Sequence, residues 1–292
     1  MKIGGKEVVT HLVRMSAIIL LILACMFLPF LPGEYDGLAV TLSMMSQLFG
    51  VIGLLLVPIG AVWLIYETKK RATTNGKLSK DRTRHFAIAS VVAASFVALV
   101  VSLGAFVNHK LSFGFCALAL WAYLVSRLLS RLKLLKNAES RNFNATPLYL
   151  ICIPLAAAIF TFTLVERATE FSRNYAIAKS APLINDIEQY RNANGHYPKS
   201  LAALWPNYKP SVIGIKQYHY EPHGEAYNMF FEQFTFRFGA QEIVMYNKLD
   251  EHFFASHAMD ILLWTPEQLR ARRGYYAVHD AAIPHWKYFW FD

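Results

Sequence analysis

The sequence predicts a membrane α-helical protein with five spans, followed by a small α+β domain whose long helix packs on an antiparallel sheet. Three observations predict it. Five uncharged apolar runs fall within the first 165 residues, the basic excess is confined to alternate connections, and the composition turns polar and aromatic after Val165. Of the 292 residues, 55% are hydrophobic and 17% charged, against about 25% charged in an ordinary soluble domain. A disordered tail, a collagen-like chain and a disulfide scaffold are excluded, since Cys25, Cys116 and Cys152 all lie in apolar runs. The expected division is a membrane domain, 1–166, and an outer domain, 167–292.

Crossing a hydrocarbon core of ~30 Å takes roughly 20 apolar residues. The runs 15–32, 39–66, 86–107, 112–129 and 147–165 meet that need, with no Asp, Glu, Lys or Arg before the last turn of any. Arg127, near the end of the fourth, can snorkel to the interface. The first run ends in Phe-Leu-Pro-Phe-Leu-Pro (27–32) with no small-x-small site, so an uncleaved anchor is expected. Gly50, Gly53 and Gly60, and Ala89, Ala93 and Ala94, allow helices to approach closely. Ser43, Ser46 and Gln47 lie on neighbouring turns and can hydrogen-bond to an adjacent helix. Pro58 and Pro154 each remove a backbone bond and predict local kinks. Thr146-Pro147 reads as N-cap and first helical residue of the fifth span.

The connections orient these helices. The N-terminal arm carries a net charge of +2, the connection 67–84 carries +5, and the segment after the fourth run carries +4. The alternate connections carry −2 and +1, and everything from Glu166 onward carries −1. Basic residues concentrate on the cytoplasmic side, so the N-terminus is expected in the cytoplasm and the outer domain beyond the membrane. The basic charge suits anionic lipid headgroups. Nucleic acid is not an expected partner, because the one large soluble segment is near neutral.

From Glu166 to Asn194 the chain reads as helix. Phe171, Tyr175, Ala178, Leu183, Ile187 and Tyr190 recur at helical spacing as one apolar stripe. Pro182 predicts a kink or break, Gly195 a left-handed helix end, and Tyr197-Pro198 an extended exit. A short helix with Ser200 as N-cap turns Leu201 and Leu204 inward. Strands are expected at 218–221, 227–231, 235–238 and 242–246, joined by turns at 222–225 and 239–241. Segment 250–263 is ambiguous, 266–273 reads as a helical turn, and 285–291 as a final strand. Helix first and antiparallel sheet after is an α+β order.

The run 178–204 contains Tyr190-Arg-Asn-Ala-Asn194-Gly195-His-Tyr197-Pro198 followed by Leu201 and Leu204. It resembles type II secretion pseudopilins and related type IV pilin-like domains. In those domains the long helix ends in Tyr-x-x-x-Asn-Gly-x-Tyr-Pro before a Leu-containing segment and an antiparallel sheet. The resemblance implies that Tyr190 packs the helix onto the sheet, that Gly195 caps it, and that Tyr197-Pro198 sets the exit. It also implies a periplasmic, contact-making role in the bacterial envelope. Phe162-Thr-Leu-Val-Glu166 echoes a pilin leader junction, but its apolar run precedes the motif, which is the wrong order for processing. No acidic cluster matches the family's calcium loop, so calcium is not carried over.

Chemical constellations are sparse. His219 and His223, near Glu221 and Glu225, and His252 and His257 offer metal-binding residue types. On a strand, however, 219 and 221 share a face while 223 falls in the turn, so packed or surface histidines are expected, with no metal and no cofactor. Ser200, Ser211 and Ser256 lack a nucleophile-elbow context, and no enzyme activity is expected. The tail Trp286-Lys-Tyr288-Phe289-Trp290-Phe291 places aromatics on both strand faces. That leaves two readings open, a buried strand or a contact surface for a partner or membrane. The expected function is that of a bacterial inner-membrane, envelope-interaction or structural protein with the lipid bilayer and an envelope protein as partners. The alternative is a membrane-anchored sensor or small-ligand-binding protein.

Overall fold

The computed structural model describes residues 5–72, 82–107, 111–134, 144–204, 208–237, 240–250, 252 and 278–291. The chain forms two compact units, one of Met1–Met26 with Thr41–Phe162 and one of Phe27–Val40 with Thr163–Asp292. The expected boundary at 166 therefore falls near the second junction, and the second unit also takes in Phe27–Val40.

The first unit is helical. Its elements are α1 (Gly5–Phe27), α2 (Gly37–Gly53), α3 (Leu56–Ala72), α4 (Thr83–Val107), α5 (Leu111–Leu134) and α6 (Thr146–Ile159). Three helical stretches, Val9–Phe30, Thr83–Leu103 and Thr146–Asn194, are long and apolar enough to cross a membrane. The bent pair α2–α3 passes the same test as a fourth, and α5 contains a shorter apolar helix, Gly114–Arg127. Val92, Phe96, Leu99 and Leu103 form an exposed apolar row along α4, a surface suited to lipid rather than water.

The run 39–66 is not one continuous helix. It breaks at Leu54-Leu55, and the two helices are bent by 53°. Pro58 is the physical reason: its ring opposes the carbonyl of Leu54 and it donates no N–H, so it fits only the first turn of a new helix. The glycines do what their size predicts. A Cβ on Gly50 would lie 2.9 Å from Ala157, and one on Gly60 would lie 2.9 Å from Ile151, both on α6. The hydroxyl of Ser43 donates to the Met26 carbonyl (2.7 Å) and the Gln47 amide donates to Ser43 (3.0 Å), joining α2 to α1. Thr146 is not the N-cap of α6; its N–H is taken by the Asn144 side chain at 3.0 Å, and Pro147 follows within the first turn. A π-helical turn, Phe160–Leu164, lies between α6 and the next helix.

The second unit packs α7 (Val165–Asn194) on a sheet of β1 (His219–His223), β2 (Ala226–Arg237), β3 (Ala240–Asn247), β4 (His279–Asp280) and β5 (Trp286–Phe291). The order is β1-β2-β3-β5-β4 and every neighbouring pair is antiparallel. Tyr227, Met229, Phe231, Val244, Tyr246 and Trp286 share one sheet face and a core with Ile177, Leu183 and Ile187 of α7. On the opposite face Phe230, Ile243, Met245 and Phe289 are buried together.

Several expectations change here. Pro182 does not break α7: both it and Ala178 are exposed, so the carbonyl released by the missing N–H faces water. Ser200 precedes a short 3-10 turn, Leu201–Ala203, without a side-chain cap bond. The expected strands 227–231 and 235–238 merge into β2, described as far as Arg237, with a register shift between Phe234 and Arg237, and the expected turn 239–241 does not hold at Ala240 and Gln241, which already pair in β3. The first turn is tighter than 222–225, because His223 pairs with Ala226 and leaves Gly224-Glu225 as the turn, with Gly224 at φ 55°. Pro222 is tolerated because β1 is an edge strand. Segments 250–263 and 266–273 lie outside the described residues, except Asp250 and His252, as do 73–81 and 135–143 of the basic connections.

Between α1 and α2, residues 28–36 lie along the turn 211–215. Gly33 N–H donates to Ser211 O (3.0 Å), Ile213 N–H to Leu31 O (3.0 Å), Asp36 N–H to Ile213 O (2.9 Å) and Gly214 N–H to Pro29 O (2.7 Å). Lys209 pairs with Glu34 at 2.8 Å, and Phe30 is 3% exposed with its ring 6.2 Å from that of Phe234.

Candidate functional site

The expected stripe holds only in part: Leu183 and Ile187 are buried and Tyr175 packs at the edge of the core, but the first half of α7 buries other residues. Phe171 and Ala178 are exposed, while Ala168, Thr169, Ser172, Arg173, Ala176, Ile177 and Ser180 are buried. Small side chains let the helix approach the sheet, and the sheet supplies polar partners for the rest. Gln233 on β2 and Glu242 on β3 are register partners, with side chains on the face that meets α7. The Arg173 guanidinium donates to Glu242 Oε1 at 3.0 Å, and the Gln233 amide donates to the same oxygen at 2.7 Å. Ser172 donates to Gln233 Oε1 at 2.8 Å. The guanidinium carbon sits 3.5 Å from the centre of the Tyr288 ring. Arg173 is 7% exposed and Glu242 1%, so this is a buried ion pair, its carboxylate also accepting from a neutral amide.

The tail residues meet this network. Trp286 and Phe289 are buried on opposite faces of β5. Tyr288 and Trp290 are half-buried on the Trp286 side, where His279 stacks at 5.1 Å on Tyr288 and edge-on at 5.0 Å to Trp290. The side chains of Phe236, Phe238 and Phe291, with residues 253–277, lie outside those described.

The motif residues Tyr190, Asn194, Gly195, Tyr197 and Pro198 gather at the far end of α7. Gly195 adopts φ 76° and its N–H returns to Arg191 O at 2.8 Å, a left-handed helix end. Tyr190 stands edge-on to His196 at 5.9 Å, and Tyr197 packs on the sheet, 4.9 Å from the ring of Tyr227. Arg191 donates to the Tyr197 hydroxyl at 2.8 Å, and the Asn194 amide returns to Tyr190 O at 2.8 Å. Pro198 is buried with its carbonyl accepting from Tyr220 (3.0 Å), and Leu201 and Leu204 pack against the core. Burial beside Tyr246 and Glu188 drives the Tyr227 phenol well above its ordinary range.

The histidines are dispersed. His219 stacks on Phe230 at 4.9 Å. His252 is buried, with Nε2 3.1 Å from His285 O, and burial pushes its imidazole below the ordinary value against the pull of the Asp250 and His285 backbone. His285 Nδ1 is 3.1 Å from Asp250 Oδ2. Among the described residues no three metal-ligating side chains converge. The crevice lined by Pro29, Phe30, Ser172, Gly214, Ile215, Gln233 and Phe234 is too tight for a water molecule.

Sequence reasoning missed the network because Arg173, Gln233 and Glu242 are ordinary surface residue types, far apart in the chain. It also missed Glu67, 5% exposed, whose Oε1 accepts from Trp63 (3.2 Å) and Thr83 (3.3 Å) and joins α3 to α4. A carboxylate directly after an apolar run was the available signal. No family model, curated protein or solved structure matches the chain.

Proposed function

We propose that the chain is a five-span inner-membrane protein of bacteria whose pilin-like periplasmic domain acts through protein contacts rather than catalysis. The five spans would be α1, the bent pair α2–α3, α4, α5 and α6, with the N-terminus cytoplasmic. One observation carries the topology. The acidic connection between α1 and α2 belongs to the same compact unit as the C-terminal domain, which supports placing both on the side opposite the basic connections.

The contact role rests on the half-buried stack of His279, Tyr288 and Trp290. Such rings supply large rigid contact area at low entropic cost. The resemblance of 178–204 to pseudopilin domains points the same way, toward an envelope protein as partner.

The test is site-specific photo-crosslinking in cells from position 280, adjacent to the stack, in the full chain. The expected product is a discrete adduct with an envelope protein that disappears in Trp290→Ala. A domain that forms no adduct and is instead stabilised by a small molecule or divalent cation would favour a sensor.

A further inference from the structure

The segment joining α1 to α2 does more than connect two helices. Four backbone hydrogen bonds and the Lys209–Glu34 pair hold it to the turn 211–215. A Cβ on Gly214 would stand 2.6 Å from the Pro29 carbonyl, so the close approach requires glycine there. Its Pro29 and Phe30 close the crevice whose other wall includes Ser172 and Gln233. Those two residues are also members of the buried network. Gln233 continues to Glu242 (2.7 Å), Glu242 to Arg173 (3.0 Å) and Arg173 to the ring of Tyr288 (3.5 Å). Tyr288 stacks with His279 and Trp290. An unbroken series of packed and hydrogen-bonded groups thus runs from the segment to the aromatic stack, without a water-sized gap at the crevice.

We propose that residues 28–36 are a strap whose seating is coupled, through Ser172, Gln233, Glu242 and Arg173, to the state of the aromatic stack, so that contact at the stack is relayed along the chain to α1 and α2. The role assigned to the stack rests on the contact reading above; the coupling itself is internal to the chain. Its physical basis is that Gln233 and Arg173 share one oxygen of Glu242, so that moving one moves the other, and that Phe30 lines the same crevice as Gln233. Coupling of this kind requires an element with two arrangements, here the strap seated or lifted.

The test uses the full chain with Cys25, Cys116 and Cys152 replaced by alanine, carrying Pro32→Cys and Val212→Cys. These positions form an antiparallel bridge of the non-hydrogen-bonded kind, where side chains stand closest and a disulfide can close. The reading is the disulfide–dithiol equilibrium in a thiol redox buffer. Gly214→Val, which obstructs the strap locally, serves as the positive control and lowers the disulfide fraction. Tyr288→Ala, at the other end of the series, is expected to lower the equilibrium constant about fivefold or more. If Tyr288→Ala does not fold, Arg173→Lys, which withdraws the planar cation from the ring, decides the same question. An equilibrium that responds to Gly214→Val but not to the distal variant overturns the coupling. Absence of a crosslinked partner sinks the contact reading alone and leaves this result standing.

Discussion

Removing one member of the Arg173–Glu242 pair should be far worse than removing both. Both side chains are more than nine-tenths buried, and Glu242 Oε1 accepts from Arg173 at 3.0 Å and Gln233 at 2.7 Å. Glu242→Leu leaves the guanidinium buried over the Tyr288 ring without its anion, and Arg173→Met leaves a carboxylate with neutral donors only. Breaking a buried pair in this way costs about 3–5 kcal/mol. For a domain of this size that is a fall of roughly 10 °C or more in the thermal midpoint. The double variant Arg173→Met with Glu242→Leu replaces the pair by apolar groups of similar bulk and should recover most of the loss. The assay is thermal unfolding of the detergent-solubilised full chain, followed by near-ultraviolet circular dichroism, as a double-mutant cycle. Singles that are neutral, or losses that simply add in the double variant, would refute the idea that the ions are held by one another.

Three further outcomes follow from single positions. Gly195 sits at φ 76° with nothing within 4 Å of the place a Cβ would take, so Gly195→Ala should cost about 1 kcal/mol through backbone strain alone, read as a lower unfolding midpoint, and Gly195→Asn less. Burial lowers the His252 pKa from its ordinary value of 6.5, so the unfolded chain takes up the proton first as pH falls. Stability is therefore fully present above pH 6.5 and declines below it, until the folded imidazole also titrates; the midpoint of the native protein should drop more between pH 7 and 5 than that of His252→Gln. Pro58→Ala supplies an N–H toward Leu54 O and removes the opposing ring, so spin labels at positions 38 and 65 should move apart as the 53° bend relaxes.

Much of the fold was legible because it rests on local rules. Apolar length marked the helical stretches, Gly195 marked the end of α7, and Gly224 marked the first hairpin. The misreadings have a common cause in tertiary context. Hydrophobic periodicity assigned Phe171 and Ala178 to the buried face of α7, yet that helix buries Ser172 and Arg173 instead, because Gln233 and Glu242 wait for them on the sheet. A buried charge looks like a surface charge in sequence until its partner, 69 residues away, is known. The break at Leu54-Leu55 was foreshadowed by Pro58 but displaced toward the N-terminus, since proline acts on the carbonyl preceding it. The contact of residues 28–36 with the turn 211–215 was invisible to any local rule, because Pro29 and Gly214 are far apart in the chain.

The most direct test of the whole account is topological. A reporter enzyme active only outside the cytoplasm is fused after Asp292 and, in a second chain, within the basic connection 69–84. The account predicts activity from the first fusion and none from the second. A silent C-terminal fusion that becomes active when moved to the basic connection would contradict it.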